Sequence, residues 1–340
     1  MKTKKLIFAF FAFFLMLLTG CATTLHVKVK RPSELDMNGA NTIAILPFKP
    51  AKYYKRQNYS RGLKVLIREF FDFYNDVSSD ESICTDYLER KLKEFLLESE
   101  YLTLINESSV QNSIKYNRNE NPADVYLTGE VVRFDVNDER NEYTKKVNSK
   151  SDNGSATYVH MVDFTRHVWF EFNYQIVDSK TEQIISYEHV EIKNSSGIYN
   201  SPYDLPDAFS VIKYDIEKEA KKIMKRIQPY EILKSITLID DHLKRDDLKM
   251  ARELAEDGLY EEACIRFEDI YKSEKIFEAG YNAALLYEVL GDLNTAKKLM
   301  TEVLNVTDDP RASKALSDIK NEIHQADRLQ SQLDAQSANN

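Results

Sequence analysis

Residues 158–176, YVHMVDFTRHVWFEFNYQI, contain the pattern that decides the fold of this chain. Most even-numbered positions from Tyr158 to Ile176 are apolar or aromatic, whereas most odd-numbered positions are polar. Because successive side chains of a β-strand point to opposite faces, this alternation predicts a long strand with one buried face. The turn sequence DSKTEQ at 178–183 and the run IISYEHVEI at 184–192 predict its hairpin partner.

Strands and helices alternate on the N-terminal side of this hairpin, and one more helix follows it. Gly129 lies inside a predicted strand, which indicates a bulge or a close backbone approach. The charged segment 138–155 reads as a loop. The predicted elements are strands at 42–48, 101–105 and 123–136 and helices at 63–74, 78–96, 110–116 and 205–227. Their order predicts an α+β domain over residues 41–230, a sheet packed by helices.

Three segments of this domain carry a family resemblance: IAILPF at 43–48, ADVYLTGEV at 123–131 and YQIVDSKTEQII at 174–185. In this order and spacing they resemble the CsgG superfamily, and they are also similar to the N-terminal domain of TolB and to the peptidoglycan-synthase activator LpoB. The resemblance covers residues 41–230. It implies a CsgG/TolB-N-like sheet packed by helices, and a role in activating or scaffolding envelope assembly.

The last third of the chain contains a repeat of 33 residues. Gly258 and Gly291 have this spacing, and so do Ala263 and Ala296. Each unit reads helix, glycine, helix, which predicts antiparallel helical hairpins in an all-α domain over residues 231–331. Both units resemble tetratricopeptide (TPR) repeats, although the period is one short of the usual ~34. The matching residues are Gly258, Tyr260, Ala263, Phe267, Ala284, Tyr287, Gly291 and Ala296. Residues 332–340 are predicted to be a disordered tail.

The N-terminus reads as an export signal. Three lysines precede an apolar run from Leu6 to Leu18, which is shorter than the ~20 residues that a membrane-spanning helix needs. The tetrapeptide that ends at Cys21, LTGC, resembles the lipobox of bacterial lipoproteins. The resemblance implies a signal peptide over residues 1–20, lipidation of Cys21 with palmitate, a lipidated tether over residues 21–40 and, because Ala22 follows the cysteine, sorting to the outer membrane. The alternative is an ordinary secreted protein.

Composition and motifs argue against several classes of function. Without the three lysines of the signal, 43 basic residues oppose 55 acidic ones, a formal charge of −12, which argues against nucleic-acid binding. Cys84 and Cys264 lie in separate predicted helices, so no disulfide framework or zinc spacing is present. No catalytic residue, cofactor or metal site is predicted. An enzyme would require a metal-binding cluster around His167, Glu171 and His189.

Three features are candidates for partner binding. One is an insert in which basic and aromatic residues alternate, a composition that suits anionic groups or an acidic protein face. Another is the concave face of the repeats, and the third is the exposed edge of the long hairpin at 158–192. A solvated loop and an ordinary repeat core are the alternatives for the first two, and pairing inside the sheet is the alternative for the third. The candidate residues are Lys52, Tyr53, Tyr54, Lys55, Arg56, Tyr59 and Arg61 in the insert, and Tyr281, Asn282 and Tyr287 in the repeats.

These features predict a non-enzymatic, lipid-anchored protein of the outer membrane that faces the periplasm. We expect it to be a scaffold that binds envelope proteins through protein–protein contacts, and homo-oligomers are compatible with this function. The alternative is an oligomeric secretion channel, as in CsgG. The charged segment 135–155 and the interruption of the apolar row at Arg166 disfavour a membrane-spanning hairpin.

Overall fold

The structure is a computed structural model that describes residues 23–51, 79–115, 122–147, 157–241 and 244–339. Two compact units are present. The sheet unit contains residues 33–229 and 332–340, and the helical unit contains the described residues up to Pro32 together with 230–331. The described part is α+β, as predicted. No helix in these ranges is long and apolar enough to cross a membrane.

The elements are numbered in chain order. The strands are β1 (Thr24–Arg31), β2 (Thr42–Ile45), β3 (Thr103–Leu104), β4 (Val125–Val147), β5 (Thr157–Asp178), β6 (Ile184–Ser195) and β7 (Tyr230–Thr237). The helices are α1 (Ser79–Leu97), α2 (Glu107–Lys115), α3 (Ala208–Ile227), α4 (Asp246–Glu256), α5 (Tyr260–Glu274), α6 (Phe277–Val289), α7 (Leu293–Thr307) and α8 (Pro310–Ala338). The predicted helix at 63–74 lies outside the described residues.

The sheet unit is built on five strands in the order β3-β2-β4-β5-β6. β2 is parallel to β3 and β4, whereas β4, β5 and β6 form an antiparallel meander. The even-numbered residues of β5 from Val168 to Ile176 are buried, together with Leu88 and Leu92 of α1 and Ile212 of α3. The predicted alternation of β5 is therefore confirmed over this half of the strand.

Gly129 and the bulge beside it set the register of β4. A methyl group at Gly129 would lie 2.2 Å from Cε1 of Phe48, so the predicted close approach is confirmed. The register of β4 against β5 shifts between Val131 and Arg133. Because of this shift, Phe134 packs against the same core as Val131.

The hairpin of β4 and β5 is longer than the sequence predicts. Residues 138–147, predicted as a loop, continue β4 and pair with β5 as far as Thr157. The cause is non-local, because a charged segment with little strand propensity pairs with the strongly alternating start of β5. β6 ends opposite His167, and beyond it residues 138–147 and 157–166 continue the hairpin, here called the β4–β5 ribbon. At its base Phe164 also forms an isolated bridge with Tyr199.

Residues 24–31 form a strand of the helical unit, so the predicted tether over 21–40 is wrong in the described part. β1 pairs antiparallel with β7 along its whole length, from Thr24 opposite Thr237 to Arg31 opposite Tyr230. This pairing orders the segment because Leu25 is buried against the helical core. The two strands are here called the β1–β7 ribbon.

The 33-residue repeat is present as two helical hairpins, α4–α5 and α6–α7. Gly258 and Gly291 have φ of +82° and +83°, a conformation that glycine adopts without steric cost. The amide of Leu259 donates to the carbonyl of Leu254, and 33 residues later the amide of Asp292 donates to Tyr287. The predicted spacing therefore extends to the backbone hydrogen bonds that end the first helix of each hairpin.

The final helix continues to Ala338, so the predicted disordered tail over 332–340 is wrong in its described part. Its side chains hydrogen-bond to the backbone of residues 33–41 within the sheet unit. Oε1 of Gln332 accepts from the amide of Ser33 at 2.9 Å, and Nε2 of Gln336 donates to the carbonyl of Ala40 at 3.0 Å. These bonds satisfy backbone groups that lie outside any strand.

Candidate functional site

The helical unit contains a groove between α4 and α6 with a volume of about 240 Å³. Its apolar lining comes from Ile239, Leu248 and Phe267, of which Leu248 and Phe267 are buried in the core of the unit. Its other lining residues include charged side chains of both signs: Asp240, Asp241, Lys244, Arg245, Lys249, Arg252 and Glu278. We call this site the α4–α6 groove.

Asn282 holds an extended segment of the chain beside this groove. Its side chain is 2% exposed, and both of its polar groups bond to the backbone of Ile239. Oδ1 accepts from the amide of Ile239 at 2.9 Å, and Nδ2 donates to its carbonyl at 2.9 Å. On either side, Leu238 is fully buried and Asp240 forms an ion pair with Arg252. Asn282 therefore binds the chain itself instead of presenting its amide to solvent.

The two predicted tyrosines also make internal contacts. The hydroxyl of Tyr287 donates to Oε2 of Glu268 at 2.8 Å, and burial together with this carboxylate raises the pKa of Tyr287. The ring of Tyr281 packs on that of Phe277, with centroids 5.5 Å apart. Burial raises the pKa of the nearby Cys264 thiol to about 12, so it stays protonated at neutral pH.

The cations of the groove differ in how they are paired. Arg245 joins two helices, because it bonds to Asp247 of α4 at 3.0 Å and to Glu274 of α5 at 2.8 Å. Arg252 is paired with Asp240. Among the described residues, the side chains of Lys244 and Glu278 form no hydrogen bond or ion pair. The groove therefore combines an apolar wall with charged side chains of both signs, beside the extended segment that Asn282 holds.

A second cavity of about 210 Å³ in the helical unit is lined by a buried ionic network. Arg31 binds Glu322 through two hydrogen bonds, at 2.7 and 2.8 Å. Lys234 bonds to Glu322 at 2.7 Å and to Glu288 at 2.5 Å. Burial acts to raise the pKa of Glu322, but its bonds to Lys234 and Arg31 outweigh burial and lower the pKa. Burial raises the pKa of Glu288, which has one cation.

The histidines considered for a metal site lie apart. His167 is opposite Ser195 and His189 is opposite Asn173, six residues further along the hairpin. His167 bonds to Glu139 at 2.9 Å, and His189 bonds to Asn173 at 2.9 Å. In the ranges that the structure describes, no three potential ligands come together at a metal site.

Two arrangements in the sheet unit have no signal in the sequence, because each joins distant segments. The indole of Trp169 lies between Arg133 and Lys193, whose charged groups are 3.5 and 3.6 Å from the ring centroid. In the other, Glu89 of α1 is buried and accepts from the amide of Phe48 at 2.8 Å. Burial raises the pKa of Glu89 to about 7.

The remaining predicted site residues lie outside the described residues. These are Cys21 and the basic and aromatic residues of the insert: Lys52, Tyr53, Tyr54, Lys55, Arg56, Tyr59 and Arg61. The part of the insert outside the described residues begins directly after Ala51, whose amide donates to the buried Glu81 at 2.8 Å. The described chain is therefore held in place up to the start of the insert.

Comparisons with known proteins give weak likenesses only. No protein-family model and no curated protein sequence matches the chain. Among solved structures it is similar to lipoprotein GNA1162 from Neisseria meningitidis, with 12% identity, a TM-score of 0.25, and coverage of 53% of this chain and 99% of that one. A minor lipoprotein from Acinetobacter baumannii has 12% identity, a TM-score of 0.21, and coverage of 55% and 90%. The hypothetical protein CT253 from Chlamydia trachomatis has 13% identity, a TM-score of 0.26, and coverage of 54% and 95%. These TM-scores are too low to assign function or family.

Proposed function

We propose that this chain is a non-enzymatic, lipid-anchored protein of the outer membrane that faces the periplasm and binds envelope proteins as a scaffold. The single observation that carries the proposal is the α4–α6 groove. It places the side chains of Lys244 and Glu278, which have opposite charges, next to an apolar wall formed by Leu248 and Phe267. The LTGC sequence at Cys21 and the resemblance of the sheet unit to CsgG, TolB and LpoB supply the location and the class of process.

The groove suits a partner segment that is extended and carries both charges. In a repeat domain each hairpin buries one side against its neighbour, and the exposed concave side is the surface that partners use. Lys244 and Glu278 line this side next to an apolar wall. Their opposite charges favour a partner with an acidic and a basic side chain a few residues apart, because each charge then meets its complement.

The test is photo-crosslinking in cells, with the crosslinking amino acid at Glu278 in the groove. Ile265 is the control position, because it is an exposed residue of α5 in the same unit that does not line the groove. The proposal predicts a discrete adduct with an envelope protein from position 278 and none from position 265. Adducts only between copies of the chain, or hydrolase or transferase turnover by the purified protein, would contradict it.

An oligomeric secretion channel is the second candidate, and the β4–β5 ribbon favours it. Each of its strands has ten residues, within the roughly 9–11 that a β-strand needs to cross a bilayer. Its side chains argue the other way, because both faces carry charges and a charge facing lipid near the midplane costs about 2–4 kcal/mol. One face carries Asp138, Arg140, Glu142, Lys146 and Arg166, and the other carries Glu139, Lys145 and Asp163.

The channel requires a stable ring of copies and a conducting pore. Detergent-resistant oligomers of fixed size and single-channel conductance in planar bilayers would favour it. Monomers that leave the bilayer impermeable would leave the scaffold as the function that fits the groove.

A further inference from the structure

Only a short segment separates the proposed lipid anchor from the first fixed residues of the chain. β1 begins at Thr24, three residues after Cys21. Thr23 is itself fixed, because its carbonyl accepts from the amide of Leu238 at 2.8 Å and its hydroxyl donates to Glu256 at 2.5 Å. Three residues span at most about 10 Å when fully extended. If Cys21 is lipidated, Thr24 lies within about 10 Å of the residue that enters the lipid.

The outer face of the β1–β7 ribbon has the composition of a surface that contacts phospholipid. Leu25 and Ile236 point to the helical core, so the alternate residues point outward. Leu233 is 65% exposed at the centre of the outer face, directly opposite Lys28. Glu231 is its only acidic residue. The outer residues are Thr24, His26, Lys28, Lys30, Glu231, Leu233, Ser235 and Thr237, all exposed.

We propose that this outer face lies against the phospholipid headgroups of the membrane that holds the anchor. The inference rests on the proposed lipidation of Cys21 and adds a second contact to it. The helical unit then touches the membrane at the ribbon as well as at the lipid anchor, instead of being connected to it through a flexible tether alone. Its partner is a lipid surface with anionic phosphates, and its contacts are the ammonium groups of the lysines and the side chain of Leu233.

The chemistry of the face suits that occupant. A lysine near an anionic membrane surface strengthens binding by about 1 kcal/mol, or roughly fivefold. Long lysine side chains extend to the phosphates while a neighbouring apolar side chain enters the interface. The short link to the anchor compensates for a weak affinity of the face, because it holds the face near the membrane surface at a high effective concentration.

The test uses the full-length lipidated protein in vesicles of phosphatidylethanolamine and phosphatidylglycerol. An environment-sensitive fluorophore is attached to cysteine in Leu233→Cys and, as a control, in Val306→Cys. Both native leucine and valine are exposed, and Cys84 and Cys264 are buried. Val306 is near the end of α7, about 20 Å along that helix from Leu293. Leu293 lines the second cavity together with residues of the β1–β7 ribbon, so Val306 is distant from that ribbon. Lipids that carry a nitroxide in the headgroup quench a fluorophore that touches the membrane.

We expect strong quenching at position 233 and little at position 306. Lys28→Glu should lower the quenching at 233 several-fold, whereas Lys297→Glu, an exposed change of equal charge on α7, should leave it unchanged. Ten Gly/Ser residues inserted after Ala22 should reduce the effective concentration roughly ninefold, from the −3/2 power of linker length. The quenching at 233 should fall with it.

The outcomes separate this inference from the proposed function. Equal, weak quenching at 233 and 306 in protein that floats with vesicles and carries an acylated Cys21 by mass spectrometry overturns the membrane-facing ribbon and leaves the anchor. Protein that is not acylated and does not float overturns both.

Discussion

Replacement of Asn282 by alanine tests the clamp that shapes the groove. The change removes the acceptor for the Ile239 amide and the donor to the Ile239 carbonyl, both at 2.9 Å. Each buried backbone group left unpaired costs about 1–3 kcal/mol, so for the two groups together we expect a loss of roughly 2–6 kcal/mol in the free energy that keeps the clamp closed. Asn282→Asp keeps the acceptor but sets a carboxylate against the carbonyl. Its cost should be similar at neutral pH and smaller below the pKa of the new acid, where the proton restores a donor.

Hydrogen exchange measures this loss at the site. The Ile239 amide should exchange at least tenfold faster in Asn282→Ala, because about 1.4 kcal/mol is a factor of ten. Asn305→Ala is the matched control, since Asn305 is exposed on α7 and surface changes alter stability by less than about 0.5 kcal/mol. Unchanged protection of Ile239 in Asn282→Ala would refute the clamp and the groove geometry built on it.

Three further substitutions test the interior by urea unfolding. Gly129→Ala should lower the free energy of unfolding by about 1–3 kcal/mol, because the added methyl group would lie 2.2 Å from Phe48. Gly197→Ala should be neutral, because the nearest neighbour of its methyl group is 3.8 Å away. Equal effects of the two changes would contradict the close approach. Burial raises the pKa of Glu89 from 4.5 to about 7, so the free energy of unfolding should fall as pH rises between those values. Glu89→Gln should remove this fall and stabilise the protein by up to about 3 kcal/mol at pH 8. An unchanged pH profile in Glu89→Gln would count against this reasoning. Glu322→Ala removes the carboxylate that Arg31 binds and leaves Lys234 with Glu288 alone, so it should cost about 3–5 kcal/mol. The exposed Glu262→Ala should cost little, and a small loss in Glu322→Ala would mean that the ionic network is not structural.

Much of the sheet unit follows from local patterns. The alternation from Val168 to Ile176 predicts a strand with one buried face, and the position of Gly129 predicts the close approach that Phe48 makes. The spacing of Gly258 and Gly291 predicts the turns of both hairpins, because positive φ favours glycine. The strand alternation and the two turns are fixed by residues near one another in sequence, which a pattern can report. The pattern marks Gly129 as a close approach but does not name Phe48, which lies in a distant segment, as its partner.

The parts that the sequence did not predict depend on pairing between distant segments. β1 is ordered by β7, about 200 residues later, and residues 138–147 become a strand only through their pairing with β5. The position of Asn282 on a repeat helix suggests partner binding, but its amide bonds to the backbone of Ile239, a contact that the sequence pattern does not predict. Helix propensity and spacing carry no information about these contacts. In the sequence, a polar residue that stabilises the fold therefore looks the same as one that binds a partner.

The central claim is that the groove and the anchor together bring an envelope protein to this chain. Its most direct measurement is an in-cell crosslinking pull-down from the native envelope that compares wild type with three variants. One is Cys21→Ser. Another is the charge swap Lys244→Glu with Glu278→Lys in the groove, and the third is a control swap, Lys320→Glu with Glu261→Lys, at exposed positions of the same unit. We predict that wild type and the control swap recover the same defined envelope protein, that the groove swap loses it, and that Cys21→Ser recovers less. Recovery of the chain alone, in a detergent-resistant ladder of fixed size that the groove swap leaves intact, would contradict the scaffold and favour the channel.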